Sequence, residues 1–291
     1  MVTLLNFIIR FMKRAGGILS TLSHFVYGVL WTLAHGPRAD LTEPLDKPVM
    51  VLGNGPSLND IDLPAVTAAG IELACVNFFP SRNESFWTLR PAYLFLFDTD
   101  FHRPAEKRTP EVTQLWAALE KVTWPMRIIV PQGCKLPIEN ASLHPEMLTA
   151  FSYSSSHLVS LLDRLYRKNL LIPGCQNVVI GAGCYFISRR VPRLYYAGID
   201  MSEFKQLFVD EQNRIYVDTI HSYSTNRKYR TDVAAGEFFR VLGGYQTMFA
   251  QFYQLAQYAL RQGVSVTNLS VNSYVDVFPK STQFHKAADN S

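Results

Sequence analysis

Val49-Met50-Val51-Leu52-Gly53-Asn54-Gly55-Pro56-Ser57-Leu58 is a short apolar run closed by Gly-x-Gly and a Pro-Ser pair. Four apolar residues in a row, with no polar alternation, read as a strand buried on both faces. The two glycines let the backbone turn sharply and let a ligand approach closely. Pro56 and Ser57 suit the first turn of a helix, whose free N–H groups favour an anion or a polar ligand edge. Asn54, between the glycines, can both donate and accept hydrogen bonds. The stretch therefore predicts a buried strand, a tight loop and a helix entry at the start of an α/β domain.

Reading outward, the same alternation continues. Strand-like apolar runs fall at residues 71–76, 92–97, 127–130, 194–197 and 264–269. Helical spacing falls at residues 57–69, 110–122, 154–166, 177–189 and 233–261, the last softened by Gly243-Gly244, and Gly181-Ala182-Gly183 is read as the entry of the helix over 177–189. Strands alternating with helices imply a mainly parallel sheet covered on both faces, a single Rossmann-like domain. In such sheets ligands sit beyond the carboxyl ends of the strands. Three candidate sites fall there: 53–58, Asp98-Thr99-Asp100 and Gly198-Ile199-Asp200.

The composition fits a folded domain. Of 291 residues, 48% are hydrophobic and 18% charged, with a net charge of +4; an average soluble protein carries about 25% charged residues. The small basic excess does not argue for nucleic acid, and it suits anionic substrates or an anionic membrane surface. The four cysteines have no metal-ligand spacing, and Cys75 and Cys184 lie in apolar runs as reduced core thiols.

Residues 1–36 differ from the rest. Val2, Leu5, Ile8, Ile9 and Met12 share one helical face, flanked by Arg10, Lys13 and Arg14. A second apolar stretch follows over 18–34, with Phe25, Tyr27 and Trp31 suited to a membrane interface. The expectation is two short helices forming a peripheral arm on the cytoplasmic face of the membrane, with packing on the domain or on a partner subunit as the alternative. A Pro-containing linker over 37–46 separates it from a domain over 47–280, and 281–291 reads as a flexible tail.

A set of collinear segments resembles the bacterial lipooligosaccharide sialyltransferases, glycosyltransferase family 42. They are Val51 to Leu58, Cys75-Val76-Asn77-Phe78-Phe79, Gly181-Ala182-Gly183-Cys184-Tyr185, Tyr195-Tyr196-Ala197-Gly198-Ile199-Asp200, His221-Ser222 with Thr231-Asp232, and Asn272-Ser273. The likeness spans about residues 48–280. It implies a glycosyltransferase A-type variant of the fold and a CMP-activated sialic acid, or related nonulosonic acid, as nucleotide-sugar donor. A surface glycan or glycolipid is the implied acceptor, with inversion at the anomeric carbon and no metal cofactor. The implied donor site is Gly53, Asn54, Gly55, Ser57, Asn77, Asp98, Ala182, Gly183, Asn272 and Ser273. The implied base is His221, and Tyr216 is the implied phosphate ligand; a neutral imidazole suits proton removal near neutral pH.

The chain departs from the family's pattern at Ser202, Val179 and Asp98, where that family carries Tyr, Arg and Asn. Asp98-Thr99-Asp100 is itself an Asp-x-Asp, the usual clamp for a metal-bound diphosphate. Two alternatives therefore stay open. One is a metal-dependent enzyme of the pterin diphosphokinase-like or diphosphate-sugar kind, using Asp98 and Asp100. The other is a glycan-binding protein without catalysis. Association into a homo-oligomer is left open.

Overall fold

The computed structural model describes residues 2–35, 38–221, 224–229 and 233–287, with side chains for all of these except 2–11, 13, 14, 218–221 and 224–229. The described residues form ten strands: β1 (Val49–Leu52), β2 (Glu72–Val76), β3 (Tyr93–Phe95), β4 (Met126–Pro131), β5 (Leu143–Leu148), β6 (Arg193–Ala197), β7 (Leu207–Val209), β8 (Ile215–His221), β9 (Ser224–Tyr229) and β10 (Ser265–Asn268). The α-helices are α1 (Val2–His35), α2 (Leu63–Ala68), α3 (Phe79–Arg82), α4 (Phe86–Leu89), α5 (Pro110–Leu119), α6 (Val159–Arg167), α7 (Val178–Ser188) and α8 (Phe238–Gln262).

Seven strands form one sheet in the order β10-β6-β1-β2-β3-β4-β5, and every pairing in it is parallel. The expected α/β class with a mainly parallel sheet is the observed one. Strand residues alternate between two apolar layers. Val49, Val51, Val76, Phe95 and Tyr196 pack with α7 and α8, whereas Met50, Leu52, Cys75, Leu94 and Ala197 pack with α2 and α5. Burial on both faces is why these strands read as unbroken apolar runs.

Three local expectations differ from the structure. Residues 57–69 are not one helix: a 3-10 turn, Pro56–Asp60, precedes α2. Asp62 breaks the two apart by capping α2, its side chain accepting from Ala65 N at 3.1 Å. The helix read over 154–166 starts only at Val159, because Ser155 Oγ accepts from His157 N and Leu158 takes a left-handed φ of 51°. Such serine turns compete with helix initiation. The helix over 177–189 starts at Val178 with Asn177 as its cap, so Gly181-Ala182-Gly183 lie inside it rather than at its entry.

Two further features had no sequence reading. β5 pairs in parallel with β4 over six residues although it holds Pro145 and Glu146. It is the edge strand, where a missing N–H on the outer side costs no ladder bond. β8, which holds Tyr216, pairs antiparallel with β9 and with β7 in a second small sheet.

The N-terminal segment is one 34-residue helix, not two short ones. Gly16-Gly17 does not break it; a β-carbon on Gly17 would run into the His157 ring, so the glycine allows close approach to the domain. Thr21, Gly28 and Thr32 are buried on the docked face. His24 stacks on Tyr153 with ring centroids 3.9 Å apart, and Tyr27 lies 4.9 Å from Phe151. Gln132 Nε2 donates to Thr32 O at 3.4 Å. The helix is therefore packed along segment 151–153 and the end of β4, and not held away from the core by the linker.

Candidate functional site

The sheet order reverses at β1. The chain leaves β1 toward β2 and continues outward to β5, then returns to place β6 on the other side of β1. Loops leaving β1 and β6 must therefore diverge at their carboxyl ends and open a crevice there. That crevice is lined by Gly53, Asn54 and Gly55 after β1, by Val76 and Asn77 at the end of β2, and by Asp200, Met201, Ser202 and Glu203 after β6. It holds about 110 Å³. It opens into a larger cavity of about 420 Å³, lined by Asn77, Phe97, Asp98, Pro131, Thr149, Ser152, Cys175 and Asn177 among others. Asn77, Asn177 and Val178 line both, so the two are compartments of one cleft.

The walls at the reversal point are stitched together. Gly53 N donates to Ala197 O at 2.7 Å and Gly55 N to Gly198 O at 2.9 Å. A β-carbon on Gly53 would meet the Gly198 carbonyl, and Gly198 itself has φ +69° against the Gly53 carbonyl. Glycine is required at both positions because two backbones touch there. Ser57 Oγ donates to Asp200 Oδ2 at 2.9 Å and lies 2.8 Å from Ser270 Oγ. Ser270 Oγ in turn accepts from Ile199 N at 3.1 Å. Ser273 Oγ donates to Ile199 O at 2.6 Å and accepts from Val275 N at 3.0 Å.

This network decides what several expected donor-site residues do. Ser57 and Ser273 spend their hydroxyls on the scaffold. Ser273 is buried, and neither lines the cleft; Asn272 is exposed beside it. Ala182 and Gly183 lie fully inside the core in the middle of α7, where a β-carbon on Gly183 would run into the Tyr196 hydroxyl. The structure does not bring these five to the cleft. It does bring Gly53, Asn54, Gly55, Asn77 and Asp98 together.

Asn54 and Asn77 stand out chemically. The side-chain oxygen of each is buried and has no hydrogen-bond partner. A buried carbonyl oxygen without a donor costs about 1–3 kcal/mol, so a ligand offering N–H or O–H groups relieves both. Asn77 also has φ 53°, a left-handed conformation that asparagine tolerates. Opposite them, Asn177 caps α7, its Oδ1 accepting from Val179 N at 3.0 Å. The N-terminus of this 11-residue helix thus faces the junction of the two compartments, and its aligned N–H groups favour negative charge there. Among the described residues no lysine or arginine lines either compartment.

Asp98 lines the larger cavity and also caps the following 3-10 turn, accepting from Asp100 N at 3.0 Å. The Asp100 carboxylate is paired with Arg103 at 2.6 Å on the surface. The two carboxylates of the Asp-x-Asp are thus engaged separately. Among the described residues no group of three His, Cys, Asp or Glu is placed to hold a metal ion. Cys175, in the wall of the larger cavity, has its thiol pushed up to about 12 by burial, so it is not a thiolate nucleophile near neutral pH.

Tyr216 is stacked on Phe208 with centroids 5.1 Å apart, under the Arg214 guanidinium at 5.8 Å, and lines neither compartment. His221 ends β8, and its side chain, with Ser222, Tyr223 and 230–232, lies outside the described residues. β8 packs on the 3-10 turn Glu203–Gln206, which continues from the cleft residues Ser202 and Glu203. The small sheet therefore springs from the mouth of the cleft.

No protein-family model and none of the curated proteins matches the chain. Among solved structures, the sialyltransferase CstII from Campylobacter jejuni, in complex with a substrate analogue, CMP-3FNeuAc, is similar. The match covers 83% of this chain and 89% of that one, at 14% identity and a TM-score of 0.42.

The cleft also contains residues the sequence reading missed. Asn177 was visible as an N-cap, an Asn directly before an apolar run, but the glycines four residues later drew the helix entry to the wrong place. Thr149, Ala150 and Ser152 follow β5, a strand whose proline and charge hid it.

Asp200 gives a test of the scaffold. Burial holds its carboxyl above the ordinary carboxylate range, against the opposing hydrogen bonds from Ser57. A raised folded-state value means that the folded state holds its proton as the unfolded chain releases it. Stability is then lost as pH rises through the window just above the ordinary carboxylate range. Asp200→Asn keeps an acceptor for Ser57 and removes the titration. Urea midpoints measured across that window should fall with pH in the wild type relative to the variant. Parallel curves would show that Asp200 titrates alike in both states.

Proposed function

We propose that this chain transfers a sugar from a nucleotide-activated donor, a CMP-activated nonulosonic acid, to a glycan or glycolipid hydroxyl, with inversion and with His221 as the base. The observation that carries the reading is the pair of unpartnered Asn54 and Asn77 oxygens across one cleft from the N-terminus of α7. A nucleotide-sugar brings what this arrangement lacks: N–H and O–H donors on base, ribose and sugar, and an anionic phosphate for the helix end. The larger compartment, about 420 Å³, lies within the size range of small-ligand sites, roughly 300–1,000 Å³. The collinear motifs around these same residues support CMP as the nucleotide.

In this reading Asn54 and Asn77 orient the donor and the first turn of α7 holds the phosphate as charge develops on it. The phosphate role expected of Tyr216 passes to α7, since the phenol lies away from the cleft. His221 takes the proton of the acceptor hydroxyl as the bond between sugar and phosphate breaks. CMP leaves with the bonding pair, and the acceptor oxygen forms the new bond on the opposite face.

Isothermal titration tests the donor. CMP should bind, and Asn54→Ala or Asn77→Gly should each weaken binding by roughly fivefold, the worth of about one hydrogen bond. Glycine at 77 keeps the left-handed backbone accessible. Tighter binding of UDP or ATP than of CMP, or binding that needs magnesium, would remove the CMP assignment.

A further inference from the structure

The outward face of α1 is left without cover. Met12, Leu19, Leu22, Val26, Leu30 and Leu33 are all exposed, Leu19 by 67% and Leu33 by 77%. Their spacing of 7, 3, 4, 4 and 3 residues follows the helical repeat, so they form one straight apolar stripe. The opposite face, with Thr21, Gly28 and Thr32, is the one packed on the domain. A soluble surface rarely exposes a contiguous apolar band of this kind without a partner.

We infer that α1 is an interfacial helix by which the folded domain docks on an anionic lipid surface. Charge selects this occupant. The helix carries Arg10, Lys13 and Arg14 and not one Asp or Glu in 34 residues. Grooves that pair helices are usually edged by charges of both signs, whereas an apolar stripe with positive charge alone fits anionic headgroups. Arg38 donates its Nε to Lys168 O at 2.9 Å, which adds two more cations beyond the carboxyl end of α1. Ala15–His35 is long and apolar enough to cross a membrane by length and composition. Its inner face, however, is committed to protein through Ser20, Thr21, His24 and Thr32, so the helix lies along the surface. Segment 148–152 lines the larger cavity, and its neighbours Phe151 and Tyr153 carry α1. Docking therefore sets this wall of the cleft close to the lipid plane. This inference does not depend on the nature of the donor.

Removing α1 would uncover Phe151, Tyr153 and Leu171, so truncation is a poor test, and substitution on the exposed stripe is the better one. Full-length protein should float with vesicles of phosphatidylcholine mixed with phosphatidylglycerol. Leu19→Glu combined with Val26→Glu should lower the bound fraction by at least about tenfold, since burying each side chain in lipid is worth about 1.5–3 kcal/mol. Thermal unfolding of the double variant should match the wild type. Wild type that stays with the soluble fraction overturns the inference, as does a double variant that floats equally well. A lipid-free dimer that the double substitution dissociates, with no vesicle binding by the wild type, overturns it in favour of self-association.

Discussion

His221→Ala should lower kcat by about 10²–10⁴-fold, the usual contribution of general-base assistance, and leave CMP affinity nearly unchanged if His221 is the base proposed above. Direct displacement needs a group that removes the acceptor proton while the sugar–phosphate bond breaks. A nucleotide-sugar donor would carry an activated leaving group, so the base and the stabilisation of the departing phosphate are what the protein would have to add. Among the described residues the cleft is lined by three carboxylates, Asp98, Asp200 and Glu203, and by no imidazole. Cys175 is held protonated. Asp98 accepts from Asp100 N. Asp200 accepts from Ser57. His221 closes β8, in the small sheet that begins at the mouth of the cleft. Steady-state kinetics with a glycan acceptor, together with calorimetry on the same variant, separates the two effects. The wild-type rate should rise with pH across the range in which imidazole loses its proton. A variant with most of its turnover and the same pH profile would place the base elsewhere and break the correspondence between this strand and the family's motif.

Gly53→Ala should destabilise the protein by setting one methyl group against backbone. Its β-carbon has to displace the Gly198 carbonyl, and with it the Gly53–Ala197 and Gly55–Gly198 hydrogen bonds that join β1 to β6. Inserting atoms where nothing can yield costs about 1–3 kcal/mol. Here the displaced atoms are backbone at the cleft wall, so CMP binding should be lost along with stability. Gly243→Ala is the matched control. Its site within α8 is open space, and alanine there should stabilise by roughly 0.5–1 kcal/mol by raising helix propensity. Urea unfolding of both variants reads the contrast directly. If Gly53→Ala unfolds at the wild-type midpoint and binds CMP normally, the close approach of the two strand ends is not what requires glycine at this position.

The sheet's central strands were legible in the sequence because a strand buried on both faces needs an unbroken apolar run, and residues 49–52, 73–76 and 194–197 supply one. The edge strand Leu143–Leu148 carries no such requirement, so proline and glutamate were free to disguise it. The pair β8 and β9 had no strand reading, because the residues of Ser224–Tyr229 are mostly polar. Strands of that composition hold together by cross-strand pairing, which no local pattern reveals. On α1 the amphipathic spacing was plain, yet two short helices were expected where the structure has one, held close to the domain at Gly17.

The site divides in the same way. Gly53, Asn54, Gly55, Asn77 and Asp98 could be marked from sequence because each follows an apolar strand, and strand ends are where a parallel sheet exposes its backbone. Ser57 and Ser273 carry the same chemistry but serve the scaffold, and only contacts between segments 74 to 213 residues apart distinguish the two roles. By itself the sequence determined that an α/β sheet forms and where its strand ends fall, since burial periodicity is a local property of the chain. The tertiary structure alone decided which of those ends meet. The order β10-β6-β1-β2 sets Asn54, Asn77 and the Asn177-capped helix around one cleft and leaves the stripe on α1 bare, because both outcomes depend on packing between segments far apart in the chain.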